Sequence, residues 1–127
     1  ADIENRTLNT GSHARIELVD GYPTVGWWHE PQTTVEWSFV IDHPGVFEVR
    51  VRAGTPAPET QFEIQCAAQR AASKVTSTGG YAKLSEFKLG TITMDKAVEH
   101  RIRIVPDPAK WKPMNMGTLR LEPVKRF

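Results

Sequence analysis

The sequence predicts an all-β domain, a sandwich or a barrel, and two observations carry that prediction. Apolar residues recur at every second position through much of the chain, which is the spacing of strands buried on one face. Turn residues separate these runs at short intervals, and no long stretch has the periodicity of an amphipathic helix. We therefore expect packed antiparallel strands rather than a mixed or helical fold.

The predicted strands are best defined where apolar and charged side chains alternate without interruption. In residues 47–52, charged side chains separate Phe47, Val49 and Val51, so one face is expected to be buried and the other solvated. Trp37 lies on the apolar face of the preceding run and is expected in the core. In chain order the predicted strands are 16–18, 35–41, 47–52, 62–66, 75–77, 87–89, 92–94, 101–104 and 119–122.

Proline and glycine mark the connections between these strands. Asp-His-Pro-Gly at 42–45 predicts a tight turn, because proline fixes one backbone angle and glycine accepts the positive φ that follows. Residues 55–58, 78–80 and 106–114 have the composition of loops. Residues 67–74 are the one helix-like stretch, but they are short, uncapped and placed between two strand candidates, so we predict a hairpin bend there.

A single domain covering residues 1–127 is expected, because 127 residues is close to the commonest domain size and no linker or repeat divides the chain. A composition of 39% apolar and 24% charged residues is typical of a globular protein. No apolar run approaches the roughly 20 residues that a membrane span needs. The net charge of +1 gives no argument for nucleic-acid binding, so neither a membrane nor a nucleic acid is an expected partner.

The sequence contains no recognisable catalytic constellation, and we expect no enzyme activity. Its four histidines share no metal-ligand spacing, and Cys66, the single cysteine, falls on the apolar side of its predicted strand. Glu30 and Glu36 permit a two-carboxylate glycosidase as an alternative. We disfavour it because Glu36 lies on the polar side of a strand, where solvated carboxylates are common.

The informative residues are aromatic side chains in loops. Trp27 and Trp28 are adjacent, so in an extended segment they point to opposite sides and at most one is buried; the sequence leaves open which one. Trp111 is flanked by Lys110, Lys112 and two prolines, which predicts an exposed loop tip. Sugar rings stack their C–H faces on aromatic planes, so these loops predict a carbohydrate site. The alternative is that the rings cap the open ends of the sandwich.

Residues 35–51 resemble the strand–turn–strand segment of family 6 and family 35 carbohydrate-binding modules. Thr-Gly-Gly-Tyr at 78–81 is similar to their Thr-Gly-Gly-Trp loop, and Asn115 followed by residues 118–121 is similar to their late Asn and last strand. Over residues 14–124 the chain is more similar still to accessory domains of bacterial fucosidases and sulfatases. Two further segments match those domains, namely Gly26-Trp27-Trp28 and Met114-Asn115-Met116.

The resemblance implies a jelly-roll β-sandwich of two antiparallel sheets that binds sugar and catalyses no reaction. It implies a cleft in the loops at one end of the sandwich, with Trp27 or Trp28, Tyr81 and Asn115 as sugar contacts. Trp111 is not part of the family pattern and is added from the composition of its loop. The implied partners are a poly- or oligosaccharide and the catalytic domain of a parent glycan-degrading enzyme, and the implied location is secreted or periplasmic.

Charged residues beside these aromatics raise the hypothesis of an anionic sugar. His29, Lys110 and Lys112 are placed to make charge-assisted bonds to a sulfate or a uronate group. Leu84 stands where a second aromatic often follows the Gly-Gly loop, and this departure favours the alternative function. That alternative is a structural spacer or protein-docking sandwich that binds no sugar.

A structural calcium ion is common in the resembled families. Here Gly117 stands where an acidic residue often follows the late Asn, which argues against that ion. Glu4 and Glu17 are the remaining candidate ligands, because calcium prefers several hard oxygen ligands. We favour the interpretation that both are surface carboxylates without metal, and expect no cofactor.

Overall fold

The computed structural model describes residues 2–3, 6–9, 15–19 and 22–127, and these form a jelly-roll sandwich of two antiparallel sheets. The all-β prediction is confirmed. The first sheet contains β1 (Asp2–Ile3), β3 (Arg15–Val19), β4 (Tyr22–Gly26), β6 (Gly45–Gly54), β9 (Ser85–Met94) and β11 (Asn115–Arg126). The second sheet contains β2 (Arg6–Asn9), β5 (Thr34–Val40), β7 (Glu59–Cys66), β8 (Gln69–Thr76) and β10 (Glu99–Pro106).

The order of strands places successive connections at alternate ends of the sandwich. The first sheet runs β3-β4-β11-β6-β9, with β1 also paired to β11, and the second runs β2-β5-β10-β7-β8. Because neighbouring strands are antiparallel, loops 27–33, 77–84 and 107–114 lie at one end, which we call the tryptophan end. Loops 41–44, 67–68 and 95–98 lie at the opposite end.

The core lies between the sheets and is built by the alternation seen in the sequence. Every second residue of β6 is buried, and Val49 and Val51 face inward beside Leu119 of β11. From the second sheet, Trp37 of β5 and its cross-strand partner Ile102 of β10 are both fully buried in the same core. Burial of large side chains such as these contributes about 1.5–3 kcal/mol each, so the inner faces hold the sheets together.

Two features of strand structure refine the sequence prediction. The predicted strands 87–89 and 92–94 are parts of one strand, β9, which is irregular at Gly90 (φ 153°), close to a register shift against Val49 and Arg50. The hairpin bend predicted over residues 67–74 is confirmed only in part: Cys66 pairs with Gln69 across a two-residue turn at 67–68, whereas residues 69–74 belong to strand β8. The sequence prediction missed β1, β2 and β4. Its strand at 75–77 covers only the end of β8, which begins at Gln69 and ends at Thr76.

Gly45 is required for a reason other than the one the turn predicts. Its φ is not in the left-handed region, so the expectation of a positive φ at this position is wrong. A Cβ built on Gly45 would instead lie 2.1 Å from the backbone oxygen of Lys125, which is part of β11. Glycine is needed here because the two strands approach closely.

No helix in the described part of the chain is long and apolar enough to cross a membrane. Cys66 is buried, and burial raises the pKa of its thiol, so the reactive thiolate is disfavoured at neutral pH.

Candidate functional site

A pocket of about 220 Å³ opens at the tryptophan end, where three loops meet. The loop between β4 and β5, the loop between β8 and β9, and the loop before β11 each contribute side chains to it. Two half-exposed aromatic rings, one imidazole and one amide are among the lining groups. The lining residues are Trp27, Trp28, His29, Tyr81, Pro113, Met114 and Asn115.

The adjacent tryptophans have opposite environments, which decides the question the sequence leaves open. Trp27 is 50% exposed, whereas Trp28 is fully buried and donates its indole N–H to the backbone oxygen of Thr33 at 3.0 Å. The backbone of Trp27 has a φ of 58°, in the left-handed region that residues other than glycine rarely adopt. A strained residue of this kind persists only when its surroundings hold it, and such residues concentrate at ligand sites. The strained backbone therefore presents the ring of Trp27 to the pocket.

Trp111 is not at an exposed tip, so the expectation drawn from its flanking lysines and prolines is wrong. Its side chain is 8% exposed, and its ring centroid lies 4.6 Å from that of Trp28 and 6.3 Å from that of Phe62. Its indole N–H donates to the backbone oxygen of Trp28 at 3.3 Å. Trp111 lies beneath the pocket and outside its lining, where it supports Trp28.

Two buried threonines explain why the Trp111 side chain points inward. The hydroxyl of Thr55 donates to the backbone oxygen of Pro113 at 2.9 Å. The hydroxyl of Thr60 donates to the backbone oxygen of Lys112 at 2.7 Å and accepts from the backbone N–H of Lys112 at 2.9 Å. These bonds attach the part of the 107–114 loop that directly follows Trp111 to Thr55, just after β6, and to Thr60, near the start of β7. The loop is therefore fixed along its backbone, and Trp111 packs into the core.

The cationic side chains of the predicted site separate into two groups. Lys110 and Lys112 are exposed but do not line the pocket, so the structure does not bring them together with the aromatics. His29 does line it, and its ring centroid lies 6.1 Å from that of Trp27. His29 and the phenol of Tyr81 are the only titratable side chains among the lining residues of the described structure.

Tyr81 is carried by a loop that is held at several points. The backbone N–H of Thr78 donates to the backbone oxygen of Thr55 at 2.9 Å, and the N–H of Thr55 donates to the Thr78 hydroxyl at 3.1 Å. Gly79 takes a φ of 89°, which is why glycine suits this position. The ring of Tyr81 remains 43% exposed. The 77–84 loop therefore presents an aromatic face from a fixed backbone.

Asn115 joins the last strand to this loop. It is the first residue of β11, pairs with Gly54 of β6 and is largely buried. Its side-chain amide donates to the backbone oxygen of Tyr81 at 3.0 Å. An asparagine side chain offers two N–H donors and two acceptor positions, so this bond leaves hydrogen-bonding capacity at the pocket wall.

The two carboxylates of the alternative glycosidase interpretation lie in different places. Glu36 is on the outer face of β5, where its carboxylate pairs with Arg103 at 3.0 Å and with Arg101 at 3.6 Å. Glu30 lies in the loop that follows Trp28 but does not line the pocket. The pocket of the described structure therefore has no carboxylate in its lining.

The calcium prediction falls on residues that lie outside the part described. Glu4 is outside the described residues, and only the backbone of Glu17, in β3, is described. Among the described side chains no group of three or more His, Cys, Asp or Glu lies close enough to hold a metal ion. The calcium ligands therefore stay a prediction.

Sequence reasoning missed two of the lining residues, Pro113 and Met114. Both directly precede Asn115, so the signal available was their place in the chain beside a predicted sugar contact. The structure brings together Trp27, Trp28, His29, Tyr81 and Asn115, whose roles toward a ligand stay predictions.

No family model and no curated protein sequence matches the chain. Solved structures do match its fold. A family 35 carbohydrate-binding module from Paenibacillus barcinonensis superposes with a TM-score of 0.76 at 21% identity, covering 96% of each chain. A family 6 module from Clostridium stercorarium, solved with cellobiose, gives 0.68 at 15% identity, covering 95% of this chain and 88% of that one.

A similar match lies within a larger enzyme. The Podospora anserina β-(1,4)-mannanase, which includes a family 35 module, superposes with a TM-score of 0.64 at 16% identity. The match covers 94% of this chain and 28% of the mannanase chain. The protein therefore has the fold of family 35 and family 6 carbohydrate-binding modules, as the sequence resemblance predicts.

Proposed function

We propose that this protein is a non-catalytic carbohydrate-binding module whose pocket at the tryptophan end receives a sugar ring. The observation that carries the proposal is the convergence of Trp27 and Tyr81, two half-exposed aromatic rings, with Asn115 around one pocket. Exposed aromatic faces of this size are unfavourable in water unless they pack or meet a ligand. The fold shared with family 35 and family 6 modules supports the same function.

The proposed contacts divide into stacking and hydrogen bonding. Trp27 and Tyr81 stack on the C–H faces of the sugar, while Asn115 and His29 exchange hydrogen bonds with its hydroxyl groups. The pocket, at about 220 Å³, is smaller than the roughly 300–1,000 Å³ typical of sites for drug-sized ligands. We therefore expect one ring, or the end of a chain, to occupy it rather than a long oligosaccharide.

The lining favours a neutral sugar over an anionic one. Lys110 and Lys112 lie outside the lining, so among the described residues His29 is the one lining side chain that can carry a positive charge. An anionic ligand held by His29 would bind more weakly at high salt. The affinity for a neutral ligand would not depend on salt in this way.

In the organism, the proposed role is to hold a parent glycan-degrading enzyme on its polysaccharide outside the cell. The mannanase match shows that this fold exists as one part of a longer enzyme chain. A single shallow site binds weakly, with dissociation constants of about 10 µM to 1 mM. Attachment to a second binding or catalytic domain raises the effective affinity without any new contact.

A binding screen with neutral and anionic polysaccharides tests the proposal. Calorimetry with soluble oligosaccharides should then show that Tyr81→Ala lowers affinity about tenfold or more, because a stacking wall is lost. His29→Ala should also lower affinity, whereas His43→Ala, an exposed histidine at the opposite end, is the matched control and should not. Absence of binding across the panel by folded protein, or equal losses in both histidine variants, would contradict the proposal.

A further inference from the structure

A second pocket, of about 210 Å³, opens at the opposite end of the sandwich. It lies between the two sheets, because Phe39 comes from β5 while Phe47 and Leu121 come from β6 and β11. These walls are apolar, and the pocket is almost as large as the one at the tryptophan end. It is far from that site, since the loops of the two pockets follow opposite ends of the same strands.

Exposed apolar residues lie in and next to the segments that line this second pocket. Val40, which lines it, is 70% exposed, and Phe127, which directly follows the lining residue Arg126, is 62% exposed. The backbone N–H of Phe127 donates to the backbone oxygen of Pro44 at 3.2 Å, which holds the residue beside the pocket while its ring remains in solvent. Large exposed apolar residues grouped around an apolar cavity are the features of a protein interaction surface.

The rim of the pocket carries both signs of charge. Asp42 lies in the 41–44 loop that follows β5, and Lys125 and Arg126 are the last two residues of β11. Within the described residues these three side chains form no ion pair. By contrast, arginines such as Arg50 and Arg103 on the outer sheet faces pair with carboxylates of the same molecule.

We propose that a second copy of this chain docks on this surface by a two-fold axis. In a two-fold interface each residue contact occurs twice, so a surface must carry both a projection and the cavity that accepts it. This surface does: Phe127, which is 62% exposed, is held by its backbone next to an apolar pocket of about 210 Å³. In the dimer each Phe127 fills the other copy's pocket, and Asp42 of each copy pairs with Lys125 and Arg126 of the other.

The dimer gives the protein two sugar pockets that face away from each other, a consequence that rests on the proposed function. Each pocket lies at the tryptophan end, and the copies meet through their opposite ends. Such a dimer would link two polysaccharide chains, or bind one folded chain twice, with the gain expected of two connected sites.

Sedimentation measurements test the dimer without any sugar. The average mass should rise from monomer toward dimer between about 5 µM and about 1 mM protein, as expected for a small interface. Phe127→Ala should raise the dissociation constant of the dimer about tenfold or more. A wild-type protein that stays monomeric throughout this range would overturn the proposal.

Exchanging the charges on the rim tests the proposed ion pairs between the two copies. Asp42→Lys should be monomeric, and so should the double variant Lys125→Asp, Arg126→Asp, because each places like charges across the two-fold axis. Mixed together, the two variants should form a heterodimer, since every rim contact is again between opposite charges. No association in the mixture would overturn the proposed pairing. Affinity for a soluble sugar should be unchanged in all these variants, so a failed dimer and a failed sugar site give different results.

Discussion

The indole N–H of Trp111 donates to the backbone oxygen of Trp28 at 3.3 Å, and the two rings pack with centroids 4.6 Å apart. This pair connects the 107–114 loop to the 27–33 loop beneath the pocket. Trp28 in turn is fixed through Thr33. The exposed Trp27 therefore belongs to a loop that is held in place by the buried side chain of its neighbour, Trp28.

Replacing the buried member of this pair should destabilise the fold. Trp111→Ala removes a packed ring and an indole hydrogen bond, and we expect a loss of about 3–5 kcal/mol in the free energy of unfolding by urea. Trp111→Phe should cost less and should leave sugar affinity nearly unchanged. If Trp111→Ala kept full stability but abolished sugar binding, Trp111 would be a direct sugar contact, contrary to its burial.

Gly54 should control the position of the Tyr81 loop. A Cβ on Gly54 would lie 2.7 Å from the backbone oxygens of both Tyr81 and Lys83, so Gly54→Ala must displace the loop. We expect a loss of about 1–3 kcal/mol in stability together with weaker sugar binding.

The matched control for this loop is Gly80→Ala. A Cβ on Gly80 would have no atom within 4 Å, so we expect stability to remain within about 0.5 kcal/mol of the wild type. Thermal unfolding and calorimetry of both variants make the comparison. Equal behaviour of the two variants would contradict the role assigned to Gly54.

Replacing one residue of the turn between β7 and β8 with glycine should increase the stability of the fold. Ala67 has a φ of 52°, which is unfavourable for a side chain, so Ala67→Gly should raise stability by about 0.5–1 kcal/mol. Ala68, the other turn residue, has no positive φ, and Ala68→Gly should lower stability by a similar amount. Midpoints of urea unfolding measure both, and opposite signs are the expected result.

Acid should weaken the fold partly through Glu48. Its hydrogen bond from Arg50, together with Lys88 at 3.2 Å, holds the pKa of the Glu48 carboxyl below its ordinary value of 4.5. The unfolded chain therefore binds a proton more readily, so this contribution is present above about pH 4.5 and is lost as the pH falls through the lower, folded-state pKa. Unfolding midpoints from pH 7 to pH 3 should fall less steeply for Glu48→Gln than for the wild type. An equal pH dependence of the unfolding midpoint in the two proteins would contradict this contribution of Glu48.

The sequence predicts the fold well where one side of a strand is buried. Alternation through residues 47–52 is unmistakable because β6 is central in its sheet, with one face in the core. Residues 69–76 form the edge strand β8, whose side chains are mostly small or charged, so their pattern is ambiguous between helix and strand. Gly90 splits β9 into two apparent strands because its irregular backbone interrupts the alternation.

The candidate site is less predictable because it depends on backbone geometry. Nothing local in the sequence indicates the left-handed φ of Trp27, which separates its environment from that of Trp28. Likewise, lysines and prolines around Trp111 are typical of an exposed loop. Its burial results from hydrogen bonds to Thr55 and Thr60, which are more than fifty residues away along the chain.

The central claim is that a sugar covers the ring of Trp27, and intrinsic tryptophan fluorescence tests it most directly. The other three tryptophans are buried, so a ligand-dependent change in emission or in acrylamide quenching reports on Trp27. Titration with an oligosaccharide selected from the screen should shift the emission and protect the protein from quenching. In Trp27→Phe the spectral change should disappear while calorimetry still detects weaker binding. Binding without any spectral change in the wild type, or an unchanged spectral response in Trp27→Phe, would contradict the claim.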